Sequence, residues 1–231
     1  MVTHQKIETI KTIIDSKLLF IFDFDGVIAD SIEVKTEAFY KIYENFGKEI
    51  AEKVTQHHKL NGGMSRFEKF RHYHKTFLDI SIDDKELQKL CSDFSLKVKK
   101  GVIDSDEIKG ATTFLDQLST IGKVCAVNSA TPQEEIKDII LQRRLTNYFS
   151  YIYGSPTCKE DNLKKIMSIS GNKKEEVIFF GDAQADLEAA TSLGIDFFGI
   201  GFEMSKFIEE NDYNYYYLED FSSLLERPIG N

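Results

Sequence analysis

Residues 18–31 read LLFIFDFDGVIADS. Five apolar residues, Leu18–Phe22, run straight into two aspartates spaced one apart, Asp23 and Asp25, with Gly26 behind them. A short run that is apolar at every position suits a parallel strand covered on both faces. Carboxylates do not normally follow such a strand. Gly26 permits a turn, so the two acids need not face the same way.

Similar runs recur along the chain. Lys123–Val127 precedes Asn128–Ser129, and Val177–Phe180 precedes Gly181–Asp182. Tyr151–Tyr153 before Gly154–Ser155 and Ile195–Ile200 are further strand candidates. Helix-like stretches lie between them. Thr131 is expected as the N-cap of one, with Pro132 at its first position and Glu134 closing a capping box. Ile136, Ile139 and Ile140 follow at helical spacing. Asp186–Leu193 is expected as another, stopped by Gly194. Strands alternating with helices predict a doubly wound, Rossmann-like α/β core with a parallel sheet. One segment breaks the alternation. Between Ile32 and Ile103 there is no strand-like run. Helical stripes appear instead at Ile32–Phe46, at Phe67, Phe70, His74 and Phe77, and at Leu87, Leu90, Cys91, Phe94 and Val98. The expected organisation is a core of residues 1–31 and 104–231 with an inserted α-helical cap at 32–103. The aromatic stripes are what the cap's own packing requires.

Composition narrows the function classes. The apolar share of the 231 residues is 42%, enough for a sizeable core, and the net charge is −9. That balance argues against a nucleic-acid binder, which needs a basic face to neutralise phosphates. Three cysteines without a CxxC pair argue against a structural zinc site and for a reducing compartment. The N-terminal residues lack a long apolar run, and no stretch approaches the roughly 20 residues of a membrane span. A soluble, cytoplasmic protein is expected.

In open parallel sheets ligands sit at the carboxyl ends of the strands. The strand assignments therefore bring Asp23, Asp25, Ser129, Lys159, Asp182 and Asp186 to one edge. Acids meeting there repel one another, and a divalent cation removes that cost. Hard oxygen ligands suit Mg²⁺, which accepts substrate phosphate oxygens. Lys159 adds a positive charge, and Ser129 adds a hydroxyl ahead of a helix N-terminus, a favourable place for phosphate. Taken singly each residue has an ordinary reading: turn acids, a helix cap, a surface lysine, a first-turn acid. Their joint placement favours a metal-assisted phosphate site with a carboxylate nucleophile.

These motifs resemble the haloacid dehalogenase superfamily of phosphohydrolases with a helical (C1-type) cap, on the branch of phosphoglycolate phosphatases and β-phosphoglucomutases. Asp23-Phe24-Asp25-Gly26-Val27, Ser129 in VNSATP, Lys159 in GSPTCKEDNL, and Asp182 and Asp186 in FFGDAQAD carry the resemblance, in order. It implies Asp23 as nucleophile and Asp25 as general acid, then base. It implies that Ser129 and the Ala130 N–H hold a phosphoryl oxygen while Lys159 balances charge. It implies Mg²⁺ on the Asp23 carboxylate, the Asp25 backbone carbonyl and the Asp182 carboxylate, with Asp186 behind them or reaching through water and Lys159.

Gly62-Gly63-Met64-Ser65-Arg66 reads as a turn between helices. It also resembles the cap loop of β-phosphoglucomutase-like members, which implies that Arg66 contacts substrate. His57, His58, His72 and His74 form no metal spacing and are expected at the cap surface or in packing. The resemblance implies a Mg²⁺-dependent phosphatase of a small phosphorylated metabolite, a sugar phosphate or a phosphoglycolate-like acid, working through an aspartyl-phosphate. Expected partners are that metabolite, no nucleic acid and no membrane, with the chain a monomer or weak dimer. A β-phosphoglucomutase-like phosphomutase is the alternative. Against it, the histidine that mutases carry five residues after the acid ending the first motif is Lys35 here. A non-catalytic binding protein ranks lower, since every catalytic position is filled. Dehalogenase and phosphonatase readings are disfavoured by the presence of Asp25.

Overall fold

Alternate side chains of the first strand feed two different cores. In the computed structural model, which describes residues 4–210 and 215–225, β1 is Leu19–Phe22. Phe20 and Phe22 enter one buried apolar cluster, Leu19 and Ile21 the other. That is why the run is apolar at every position: both faces of the strand are covered. The other strands are β2 (Val124–Pro132), β3 (Tyr151–Ser155), β4 (Val177–Gly181), β5 (Asp196–Ile200) and β6 (Tyr216–Leu218). Among the described residues they form one six-stranded sheet in the order β3-β2-β1-β4-β5-β6. Every neighbouring pair is parallel, with Phe22 opposite Val127 on one side and Phe180 on the other.

The helices are α1 (His4–Ser16), α2 (Ile32–Tyr43), α3 (Lys48–Leu60), α4 (Arg66–Phe77), α5 (Asp84–Asp104), α6 (Ala111–Thr120), α7 (Gln133–Gln142), α8 (Lys159–Ser170), α9 (Gln184–Leu193), α10 (Phe202–Glu210) and α11 (Ser222–Leu225). Side chains of α1, α6, α7 and α11 pack on the Phe20/Phe22 face. Those of α8, α9 and α10 pack on the Leu19/Ile21 face. The rings of Phe22 and Phe180 stack across adjacent strands with centroids 5.0 Å apart, fastening the two central strands. This is the doubly wound α/β arrangement expected from the alternating pattern. The outermost ends of the expected core, residues 1–3 and 226–231, lie outside the described residues.

The segment between β1 and the return to the core carries the helices α2 to α5 and, among the described residues, no strand. The chain leaves the core beside the place where it returns. The Asp30 N–H donates to the Asp106 carbonyl (2.9 Å) and the Ile108 N–H to the Ile28 carbonyl (3.0 Å). The Arg143 guanidinium, at the C-terminal cap of α7, donates to the carbonyls of Val102, Ile103 and Ser105, clamping the return. The glycine pair ends as expected in a turn between α3 and α4. Ser65 caps α4, and its hydroxyl and the Glu68 carboxylate form a capping box.

One local expectation is corrected. β2 continues to Pro132, and α7 starts at Gln133 with Pro132 at the N-cap and no side-chain cap bond. Pro132 has ψ of 142°, an extended value, so it does not open the helix. The Thr131 hydroxyl is turned away from the helix toward Asp25. No helix among the described residues is long and apolar enough to cross a membrane.

Candidate active site

Asp23 continues the path of β1, its N–H donating to the Phe180 carbonyl at 2.8 Å. Its carboxylate is almost fully buried. Oδ1 accepts the Phe24 N–H (2.6 Å) and Oδ2 accepts from Lys159 Nζ (2.6 Å). Gly26 then turns the chain at φ 80°, in the left-handed region. A Cβ there would overlap the Asp182 carboxylate, so this position needs glycine for conformation and for space. The Asp25 carboxylate has partners distinct from those of Asp23. Its Oδ1 accepts from the Ser31 hydroxyl (2.6 Å). Its Oδ2 accepts from Thr131 Oγ1 (3.2 Å) and is ion-paired with the Lys35 ammonium. Burial pushes the Asp25 carboxyl up, but Lys35, Ser31 and Thr131 outweigh it and hold the group below the ordinary carboxylate range.

β4 delivers the second acidic pair. Asp182 follows Gly181, and Asp186 lies in the first turn of α9. Asp186 is fully buried. Its Oδ2 accepts the Ala183 N–H (3.2 Å) and its Oδ1 is ion-paired with Lys159. Lys159, the first residue of α8, thus bridges Asp23 and Asp186. Burial disfavours its charge, yet the two carboxylates more than offset this and hold it above the ordinary lysine range. Its backbone is fixed too, because Asn128 Nδ2 in the middle of β2 donates to the Lys159 carbonyl (2.9 Å).

Asp23, Asp182 and Asp186 each offer a carboxylate oxygen, all within 4.8 Å of one another. Burial, reinforced by Asp23 and Asp186, raises the Asp182 carboxyl well above its usual range. Burial likewise pushes Asp186 up to about 7. Among the described residues no hydrogen-bond donor is paired with the Asp182 carboxylate. A half-buried acid that lacks a donor and faces two other acids suits a divalent cation, which supplies the missing positive charge. Asp186 is already committed to Lys159 and Ala183, whereas Asp182 is not.

Ser129 and Lys159 are buried beside the cavity rather than in its wall. The Ser129 hydroxyl accepts the Thr131 N–H at 3.1 Å. The wall itself carries Asp23, Asp25, Ala130, Thr131 and Asp182 from the core side, and His58, Gly62, Met64, Arg66 and Lys69 from the insert. It encloses about 980 Å³, the size of a small-molecule site. The insert loop lies against the turn between Asp182 and Asp186: a Cβ on Gly63 would stand 2.6 Å from Ala185 Cβ and 3.6 Å from Lys159 Cε.

Arg66 borders this cavity, but its guanidinium forks onto the Glu135 carboxylate of α7 (2.6 and 2.9 Å) and lies over the Phe94 ring. Any substrate anion reaching Arg66 would share it with Glu135. Of the histidines, His74 packs in the insert, hydrogen-bonded to Tyr43 Oη (2.9 Å), and His57 stacks on His72 (4.3 Å). His58 is different, lining the cavity.

Four cavity residues were not recognised as functional from the sequence: Lys35, His58, Lys69 and Thr131. Lys35 was weighed only as the absence of a histidine. Its place one turn into the helix that follows Asp30-Ser31 was the available signal. Thr131 carried a competing cap signal. Lys69 stands between apolar helix positions, where a lysine is unusual, and that oddity was its only mark.

The profile of the haloacid dehalogenase-like hydrolases matches residues 20–200. The chain is 24% identical over 184 residues to phosphoglycolate phosphatase 1 of Pseudomonas aeruginosa, covering 77% of this chain and 66% of that protein. It is 25% identical over 186 residues to a phosphorylated carbohydrates phosphatase of Thermotoga maritima, covering 76% and 81%. A β-phosphoglucomutase structure from Clostridium difficile superposes with a TM-score of 0.74 at 20% identity, covering 90% of this chain and 93% of that one. The chain thus spans about two thirds of the first relative's length and most of the second's. With the profile matching well over half of its residues, this chain belongs to the haloacid dehalogenase-like hydrolase family.

Proposed function

We propose that this chain is a Mg²⁺-dependent phosphatase of small phosphorylated metabolites that works through an aspartyl-phosphate on Asp23. The observation that carries this reading is the placement of two carboxylates two residues apart in different electrostatic settings. Asp23 is braced by Lys159, and Asp25 by Lys35, Thr131 and Ser31, around one cavity. The names of the two curated relatives, both phosphatases, support the same class.

In this reading Asp23 Oδ attacks phosphorus while the ester P–O bond breaks; Asp25, ionised at rest, takes the proton that a phosphate monoanion carries in and gives it to the departing oxygen. Asp25, now a carboxylate, takes a proton from water. That water attacks phosphorus, the bond to Asp23 breaks, and inorganic phosphate leaves. Lys159 stays on Asp23, offsetting charge as the carboxylate is spent and regained. The Ser129 oxygen already accepts the Thr131 N–H, so its own proton is available to a phosphoryl oxygen, with the Ala130 N–H beside it. The Asp23 and Asp182 carboxylates and the Asp25 backbone carbonyl would hold Mg²⁺, which supplies Lewis-acid stabilisation of the phosphoryl charge when bound. Residues 32–103 act as the cap that closes over substrate and excludes bulk water. Arg66, at the cavity rim, meets the part of the substrate that is not transferred.

A panel of phosphomonoesters assayed with Mg²⁺ on wild type and Asp23→Asn tests the reading. Hydrolysis of a subset by wild type and of none by the variant supports it. Equal hydrolysis by both proteins rules out Asp23 as nucleophile.

A further inference from the structure

Four basic side chains are deeply buried among the described residues: Lys17, Arg66, Lys69 and Lys159. Three have carboxylate partners. Lys17 pairs with Asp196, Arg66 with Glu135, and Lys159 with Asp23 and Asp186. Lys35, at the same cavity, pairs with Asp25. Lys69 is the exception. It is 2% exposed, and its Nζ is bonded to His58 Nδ1 at 2.7 Å, with no carboxylate at ion-pair distance among the described residues.

His58 does not neutralise it. Burial and the neighbouring Lys69 push the imidazole down to about 2, so it is neutral and its Nδ1 accepts the ammonium proton. Burial likewise pushes Lys69 itself down to about 7, and Asp182 and Asp25 favour its charge only at longer range. A buried ammonium with one neutral partner is costly to maintain unless an anion completes it. Both residues line the cavity that holds Asp23, Asp25 and Asp182.

We propose that Lys69 and His58 form a subsite for a carboxylate on the part of the substrate that is not transferred. The inference rests on the phosphatase reading for the position of the phosphoryl group at Asp23. The local pairing favours a carboxylate over a second phosphate: Lys35 and Arg66 each already hold a carboxylate, and Lys69, the buried cation without one, offers at most a single positive charge. His58 fixes the ammonium's direction, leaving its remaining N–H donors for the ligand. Lys69 therefore sets specificity, selecting acids over neutral esters of the same size.

Binding tests this apart from turnover. A phosphonocarboxylate and the alkylphosphonate of equal chain length would be titrated calorimetrically, with Mg²⁺, into wild type, Lys69→Met and Lys69→Arg. Wild type is expected to prefer the phosphonocarboxylate by about 10- to 100-fold, the range of one buried charge-assisted hydrogen bond. In Lys69→Met the preference collapses toward unity, and Lys69→Arg restores part of it. Equal affinities in wild type overturn the proposal without any variant having to fold, as does a preference that survives in Lys69→Met. Tighter binding of a bisphosphonate than of the phosphonocarboxylate overturns the carboxylate assignment. Hydrolysis of a phosphomonoester that carries the carboxylate is scored separately. Its absence, with the binding preference intact, overturns the phosphatase reading and leaves the subsite standing.

Discussion

Lys35 and Asp25 are ion-paired across the junction between insert and core. The lysine is one turn into α2, and the aspartate is on the loop that follows β1. Both side chains are largely shielded, and Thr131 at the end of β2 touches both, accepting from Lys35 (2.9 Å) and donating to Asp25 (3.2 Å). The first helix of the insert is thereby tied to the carboxyl group that would handle protons.

Replacing Lys35 with Met removes the strongest influence holding the Asp25 carboxyl low and leaves burial to raise it. The acid limb of the kcat–pH profile is expected to move upward. Stability changes with the same sign logic. The native carboxyl lies below its unfolded value, so the pairing stabilises above about pH 4 and is lost as pH falls through the native value. Lys35→Met should therefore destabilise the protein at neutral pH and much less in strong acid, as read by denaturant titration. An unmoved acid limb would show that Asp25 does not control it.

Asp182→Asn separates stability from function. The acid lacks a donor among the described residues and is opposed by Asp23 and Asp186. Neutralising it should stabilise the metal-free protein by roughly 1–3 kcal/mol at neutral pH while abolishing Mg²⁺-dependent activity. Calorimetric melting with and without Mg²⁺ reads both effects. A destabilised variant that still responds to Mg²⁺ would remove Asp182 from the metal site.

The pH dependence of the metal-free protein follows from the same acids. Burial holds Asp182 and Asp186 above their unfolded values, Asp186 up to about 7. Their contribution is fully present below about pH 4 and is lost as pH rises through the native values. Metal-free protein should thus lose Tm between about pH 4 and pH 7, and Mg²⁺ should recover most of the loss at the upper end. Identical curves with and without Mg²⁺ would argue that the acids hold no cation.

Arg66 and Glu135 join α4 of the insert to α7 of the core, both nearly buried, with side-chain exposures of 4% and 8%. Arg66→Ala strands a buried carboxylate and is expected to cost about 3–5 kcal/mol. The double variant Arg66→Ala/Glu135→Ala should recover a substantial part of that, as a double-mutant cycle in denaturant will read. If Arg66 also meets substrate, Arg66→Ala raises KM more for the true substrate than for p-nitrophenyl phosphate. Equal changes would confine Arg66 to the junction.

Much of this architecture was legible in the sequence because buried parallel strands leave an unbroken apolar signature. The runs at Leu18, Lys123, Tyr151, Val177 and Ile195 all became strands, within a residue or two at their starts. β6 was not read, since Tyr216–Leu218 is short and set among tyrosines and acids. α3 was missed for a different reason. Its buried stripe is Ala51, Val54 and His58, small and polar residues that break the apolar periodicity. The acids and Lys159 announced themselves through their order at strand ends. Lys35, Lys69 and His58 did not. Their roles come from the way the insert folds back over the sheet edge, a tertiary fact that no local pattern records.

The most direct test of the central claim is chemical capture of Asp23. Wild type turning over radiolabelled p-nitrophenyl phosphate with Mg²⁺ would be quenched in acid, and the protein reduced with borohydride and mapped by mass spectrometry. The expected result is label on the protein before reduction, absent in Asp23→Asn, and Asp23 converted to homoserine after it, as hydride displaces the labelled phosphate. Hydrolysis that proceeds with no label on the protein and Asp23 unchanged would mean that water attacks phosphorus directly, and the aspartyl-phosphate account would fall.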